Sequence, residues 1–292
     1  MIDLARRLPG KGRTVGLKAG STWSIFAPLS PAVLGLAWGW GIGNAWQRQP
    51  QLQLYLDEET SLGTVGVRLA ACRPMTGDST LRTTNISANI DAGDASSTPM
   101  MEAELRLERK AGPFSCFVSL AALTGKEDYT GMTPKRIGNA DYRVVGNVVD
   151  VKGVALALKL DHRRFAVQGE YYTGENLDLF GAQVLSGVKS IRNDVTRVLA
   201  VLDSASVRGG WGQLTVKPAP GLEISGGVGV DDPEDHPSSF YKRNGALYCS
   251  ASKTWFKRLM LTLCWIRVRT RLTSIDQVME GHHMSSSLRL SF

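Results

Sequence analysis

The final ten residues read His283-Met284-Ser285-Ser286-Ser287-Leu288-Arg289-Leu290-Ser291-Phe292. Met284, Ser286, Leu288, Leu290 and Phe292 share one face, and His283, Ser285, Ser287, Arg289 and Ser291 share the other. A period of two belongs to a strand, whose side chains point alternately to opposite sides. The same split recurs upstream. Leu214 and Val216 alternate with Trp211, Gln213, Thr215 and Lys217, and Val65, Val67, Leu69 and Ala71 alternate with Gly66 and Arg68. Ala103, Leu105 and Leu107 alternate with Glu102, Glu104, Arg106 and Glu108; Leu222, Ile224, Val228 and Val230 alternate with Glu223, Ser225, Gly227 and Gly229. Each reads as an amphipathic strand.

The periodicity places twelve strands at about 13–20, 51–56, 63–71, 101–109, 114–122, 148–160, 164–172, 208–217, 221–230, 243–254, 257–268 and 283–292. Short links (Asp57 to Leu62, Lys110 to Pro113, Asp161 to Arg163, Pro218 to Pro220, Trp255 to Phe256) alternate with long ones. The long ones are Ser21 to Pro50, Cys72 to Met100, Leu123 to Asn147, Thr173 to Val207, Asp231 to Lys242 and Arg269 to His282. A membrane barrel keeps this order, because short turns lie at one rim and long loops at the other. Hydrocarbon offers no partner for backbone N–H or C=O, so a spanning sheet closes on itself, with its apolar face to lipid and its polar face to the lumen. The expected fold is therefore all-β, an antiparallel transmembrane β-barrel in which residues 1–292 form one domain. Phe114, Phe165, Tyr171, Trp255, Phe256, Trp265 and Phe292 fall near strand ends, where aromatic girdles form. Gly66, Gly212 and Gly226, inside strands, suit bends. Residues 1–8, followed by Pro9-Gly10-Lys11-Gly12, read as the tail of an earlier strand and its turn. The twelve strands are then expected to be the C-terminal part of a larger barrel.

Composition narrows the alternatives. The 34 Lys and Arg exceed the 27 Asp and Glu by only 7 and form no block, so no nucleic-acid partner is expected. Cys72, Cys116, Cys249 and Cys264 have no C-x-x-C spacing, which removes zinc-ribbon and thioredoxin readings and leaves either isolated thiols or two disulfides open. Arg6 and Arg7 are followed by Leu8-Pro9-Gly10-Lys11-Gly12-Arg13 rather than an apolar run, so no signal peptide is visible. Ile25 to Gly43 is apolar enough for a spanning helix, but Pro28, Pro31, Gly35, Gly39, Gly41 and Gly43 oppose one, and an ordered loop is expected.

Gly20-Ser21-Thr22-Trp23-Ser24-Ile25-Phe26-Ala27-Pro28-Leu29, Arg48-Gln49-Pro50-Gln51-Leu52, Gly209-Gly210-Trp211-Gly212-Gln213-Leu214, Gly229-Val230-Asp231-Asp232-Pro233 and a closing Ser291-Phe292 follow one another in order. In this the chain resembles bacterial outer-membrane porins, in particular the DcaP-like group of trimeric porins. The resemblance implies a Gram-negative outer-membrane location, a homotrimer and passive diffusion of small hydrophilic solutes; the group includes pores for carboxylate-bearing solutes. It also makes the terminal Phe292 similar to the signal read by the outer-membrane assembly machinery, a partner it implies. The four cysteines depart from the pattern, as do Cys264 at a position expected to be polar and Ser21 where Gln is common.

A passive pore needs a water-filled path and a constriction, not a catalytic group, so no enzyme activity, cofactor or metal is expected. Residues 21–50, with Trp23, Trp38, Trp40 and Trp46, are the candidate constriction loop, with packing at a subunit interface as the alternative use. Parity directs Lys18, Arg68, Arg106, Lys217 and Arg289 to the lumen, together with Gln213 and the acidic Glu102, Glu104, Glu108, Glu170 and Glu223. The two charged sets cancel, so no anion selectivity follows. Arg267, Arg269 and Arg271 share the lipid-facing parity at the long-loop end, where they read either as guanidinium partners of lipopolysaccharide phosphates or as ordinary solvated loop charges. His282 and His283 point to opposite faces and make no joint metal site. Asp231, Asp232, Glu234 and Asp235 read as a loop cluster, either solvated, Ca²⁺-binding or serving a hydrolase, and Asp194 to Leu202 as a short helix. Two rival functions remain: a soluble all-β carbohydrate-binding protein, and an outer-membrane hydrolase using His162.

Overall fold

A computed structural model describes residues 1–8, 12–33, 41–75, 92–130, 135–137, 140–182, 187–234, 242–256, 258–272 and 277–290. In chain order its strands are β1 (Ile2–Leu8), β2 (Arg13–Trp23), β3 (Arg48–Thr60), β4 (Gly63–Cys72), β5 (Met100–Ala111), β6 (Phe114–Asp128), β7 (Lys135–Ile137) and β8 (Ala140–Val145). They continue with β9 (Val148–His162), β10 (Phe165–Glu175), β11 (Val188–Asn193), β12 (Val198–Ser204), β13 (Ser206–Ala219), β14 (Leu222–Glu234), β15 (Arg243–Trp255), β16 (Leu259–Arg271) and β17 (Val278–Leu290). Thirteen of these make one antiparallel sheet in the order β1-β2-β3-β4-β5-β6-β9-β10-β13-β14-β15-β16-β17. The remaining four, β7, β8, β11 and β12, form a small sheet within two of the long connections.

The sheet is inverted relative to a water-soluble one. Leu54, Leu69, Leu105 and Leu120 are 50–56% exposed, whereas Gln53, Glu102, Glu104 and Glu170 on the opposite face are 2–5% exposed. A continuous apolar surface of this kind is stable against hydrocarbon and not against water. The stripes are not buried face to face between two layers, which removes the soluble sandwich.

Short turns bring the rim together. Gly112 and Gly221, at φ +58° and +69°, turn β5 into β6 and β13 into β14 in a conformation that costs glycine nothing. At the same rim the His162 ring lies 4.8 Å from Phe114 and 5.0 Å from Phe165, an outward aromatic cluster at the level expected of a lipid–water girdle. That packing also bears on the hydrolase rival. The backbone N–H of Arg164 also donates to His162 Nδ1, at 3.3 Å.

Several expectations meet their outcome here. One of them is borne out: residues 2–8, expected as the tail of an earlier strand, form β1, paired from Ile2 with Ala19 to Leu8 with Arg13, which joins the twelve expected strands in the sheet. Its order starts at β1 and ends at β17 without a pairing between them, so the barrel is not closed by the described residues. Asp194 to Leu202 is a turn followed by β12, not a helix. The Asn193 side chain accepts the N–H groups of Val195 and Thr196 at 3.0 and 2.9 Å, and Leu199 and Val201 are buried with Tyr129, Tyr142 and Val149. Asp231, Asp232 and Glu234 lie in β14 rather than in a loop tip; Asp231 points inward, while Asp232 and Glu234 point outward and pair with Arg208 at 3.5 and 3.2 Å, so the three do not converge. Asp235 lies outside the described residues. The four cysteines are free thiols, which settles the alternative left open by their spacing.

Candidate functional site

The segment that follows β2 folds across the inward face of the sheet. Its neck closes where the Ser24 N–H donates to the Gln47 carbonyl at 2.8 Å, beside a Trp23–Trp46 edge contact at 4.9 Å. Glu102, on β5, anchors the entrance. Its carboxylate accepts from the Ser24 hydroxyl at 2.9 Å, the Ile25 N–H at 2.9 Å and the Gln49 amide at 3.0 Å. Pro28 and Pro31 lack N–H groups and force extended backbone on the residues before them. The N–H that follows each proline reaches the wall: Leu29 N–H to Glu170 at 2.5 Å on β10, and Ala32 N–H to Gln213 at 2.7 Å on β13. Gln168 donates to the Ser30 carbonyl at 3.1 Å, and Asn244, on β15, donates to the Gly41 carbonyl.

A second segment enters beside it. Asn176, at φ +53°, donates to Glu127 at 2.7 Å, and a single 3-10 turn, Asp178–Phe180, carries Phe180 to within 5.3 Å of Phe26. The Gly41 N–H donates to the Gly181 carbonyl at 2.6 Å and the Trp46 N–H to that of Phe180 at 3.1 Å. Phe26, Leu177, Phe180 and Ala45 pack with Ala70, Leu123, Ala155 and Tyr172 of the wall into an apolar plug. Fully burying a side chain the size of Phe26 or Phe180 stabilises by about 1.5–3 kcal/mol.

Beneath the first segment lies a polar cavity of ≈ 410 Å³, between Trp23, Ser24, Ser30 and Trp46 and the wall residues Lys18, Gln53, Arg68, Glu104 and Arg106. The wall charges neutralise one another. Arg68 pairs with Asp57 at 3.1 Å, Arg106 with Glu104 at 3.1 Å and Glu108 at 3.2 Å, and Lys18 with Asp3 at 3.6 Å. Nearer the short turns, Lys217 pairs with Asp161 at 2.7 Å.

All eleven residues directed inward by parity lie on the inward face, but in three different settings. Lys18, Arg68, Glu104 and Arg106 line the cavity. Glu102, Glu170 and Gln213 are taken up by the inserted backbone. Lys217 and Glu108 are ion-paired, while Glu223 and Arg289 are exposed. Trp38, Trp40 and Phe292 lie outside the described residues. The sequence reading missed Gln49 and Gln51, which alternate with the outward Leu52 and Leu54, and the whole of the second segment, whose Leu177, Leu179 and Phe180 were the available signal. Cys264 is explained: it is 4% exposed beside Val33 and Ile42 of the inserted segment, with Tyr248 and Ile266, so it meets an apolar neighbour and not water.

Glu102→Ala is expected to leave the Ile25 N–H and the Gln49 amide without an acceptor, at about 1–3 kcal/mol for each orphaned group. The thermal midpoint in detergent falls, and falls less for Glu102→Gln, which keeps one acceptor oxygen. Equal midpoints for both variants and the parent would remove the anchor.

No protein-family model matches the chain, and no curated protein does. Among solved structures, the outer membrane channel DcaP of Acinetobacter baumannii aligns over 99% of this chain and 83% of its own, with a TM-score of 0.66 and 13% identity. OmpT, an outer membrane protein of Vibrio cholerae, aligns over 94% of this chain and 76% of its own, with a TM-score of 0.50 and 10% identity. The fold is that of an outer-membrane channel barrel.

Proposed function

We propose that the protein is an outer-membrane porin through which small hydrophilic solutes diffuse passively. The observation that carries this reading is the inserted segment, held against β5, β10, β13 and β15 by side chains of the wall, with a polar cavity left beneath it. A narrowed, polar, water-accessible path selects by size and field and needs no catalytic group. Because Arg68 and Arg106 are matched by Asp57, Glu104 and Glu108, size rather than one sign of charge is the main filter. The working assembly is a homotrimer, inserted by the outer-membrane assembly machinery through the C-terminal strand, with lipopolysaccharide around its long-loop end.

The barrel itself is part of the proposal. Thirteen antiparallel strands alternate in direction, so β1 and β17 run the same way and a direct seam between them would be parallel. Bacterial single-chain barrels have an even strand number. A larger barrel, completed by further strands between β17 and β1, restores antiparallel pairing at the seam.

Single-channel recording in a planar bilayer, on the polypeptide with its barrel closed, tests the reading. Discrete current steps are expected; their absence at protein levels where folded trimer is present refutes it.

A further inference from the structure

On the outward face of β13 and β15, Gly212 and Gly245 leave a furrow on either side of Val228 and Val230 of β14. A methyl group at Gly212 would meet nothing within 4 Å, and at Gly245 only one backbone oxygen, at 3.6 Å. Neither has a positive φ. Neither backbone conformation nor crowding inside the chain therefore calls for glycine here, although each glycine weakens its strand. The hollow they leave encloses ≈ 890 Å³, with Tyr171, Val228 and Leu247 as apolar walls. A second outward hollow of ≈ 540 Å³, walled by leucines of β9, adjoins it at Tyr171.

The polar end of the furrow is basic. Arg208 from β13, Arg243 from β15 and Arg267 and Arg269 from β16 line it at the long-loop end, with Asp232 among them. Glu280 pairs with Arg267 at 2.8 Å and Arg269 at 3.6 Å, and Glu234 with Arg208 at 3.2 Å. Among the described residues Arg243 makes no ion pair. From β13 to β16 is three strand spacings, about 14 Å, which is wider than one phosphate.

We propose that this furrow is a binding site for a glycolipid of the outer leaflet that carries two phosphates and several acyl chains. The guanidinium groups hold the phosphates, for which their forked donors are suited, and the chains lie along the glycine floor. This rests on the outer-membrane reading above and relocates the arginine contact expected from the sequence. Two of the three arginines on β16 take part, Arg208 and Arg243 join them, and the unfilled glycines supply the apolar half of the site.

The test uses the folded protein in detergent, incubated with purified lipid A or with phosphatidylglycerol and examined by native mass spectrometry. Lipid A is expected to remain bound and phosphatidylglycerol to be lost. Gly212→Leu, whose Cβ meets no chain atom within 4 Å, and the pair Arg243→Ser with Arg269→Ser are each expected to lower lipid A retention by about tenfold or more. Channel conductance of these variants stays at the parent value, so failure of the pore reading and failure of this one are separately visible. Undiminished retention in both variants overturns the proposal. So does phosphatidylglycerol retained as tightly as lipid A, or a parent oligomer that becomes monomeric in Gly212→Leu, which makes a second copy the occupant.

Discussion

A chain lacking residues 25–46, with Ser24 joined to Gln47, is expected to pass several-fold more current per channel than the parent. The excision is geometrically mild, because the Ser24 N–H already donates to the Gln47 carbonyl at 2.8 Å and the two ends need no new path. The thirteen-strand ladder does not depend on the segment, whose bonds to the wall run through Glu102, Glu170, Gln213 and Asn244 side chains. Once released, those carboxylates meet water and mobile ions instead of backbone N–H groups. The reversal potential in a salt gradient therefore shifts toward cations as the conductance rises. Stability falls at the same time. Phe180 and Leu177 lose Phe26 as a neighbour, and apolar surface is returned to water at about 25 cal/mol per Å². Planar-bilayer recording reads both the conductance and the selectivity. A variant with parental conductance would mean that the segment does not narrow the path.

The second large effect is expected on the opposite face. Leu120 is 56% exposed at the middle of β6, where it pairs across to Leu105 and Leu156. In a protein surrounded by water, Leu120→Arg at so exposed a position changes stability by only about 0.5 kcal/mol in either direction. On a lipid face at this depth it costs about 2–4 kcal/mol. Folding into liposomes across a urea series separates the two: the midpoint falls for Leu120→Arg and stays near the parent for an arginine at the inward, exposed Glu223. A parental midpoint for Leu120→Arg would contradict a hydrocarbon-facing stripe. The sign of this comparison makes it a test of the environment and not merely of packing.

Much of the architecture was legible because the carrying signals are local. Strand period, the order of short and long links and the proline-broken apolar stretch each need only a few neighbouring residues. Where the reading erred, a non-local term decided. Asp194 to Leu202 became a turn and strand because Leu199 and Val201 found Tyr129, Tyr142 and Val149. That expectation was made from a segment without its neighbour.

The candidate site divides in the same way. The sequence by itself determined which side chains face inward, since alternation along a strand is a property of the backbone alone. Only the tertiary structure decided what those side chains do there. Ser24 meets Glu102 across 78 positions, Leu29 meets Glu170 across 141 and Ala32 meets Gln213 across 181. Inward parity is the same for Glu102, which secures a loop, and for Arg106, which borders the cavity. The difference lies in which distant segment comes to rest above each, and no period in the chain encodes that. The unfilled Gly212 and Gly245 follow the same rule: their emptiness becomes a furrow only when β13, β14 and β15 stand side by side.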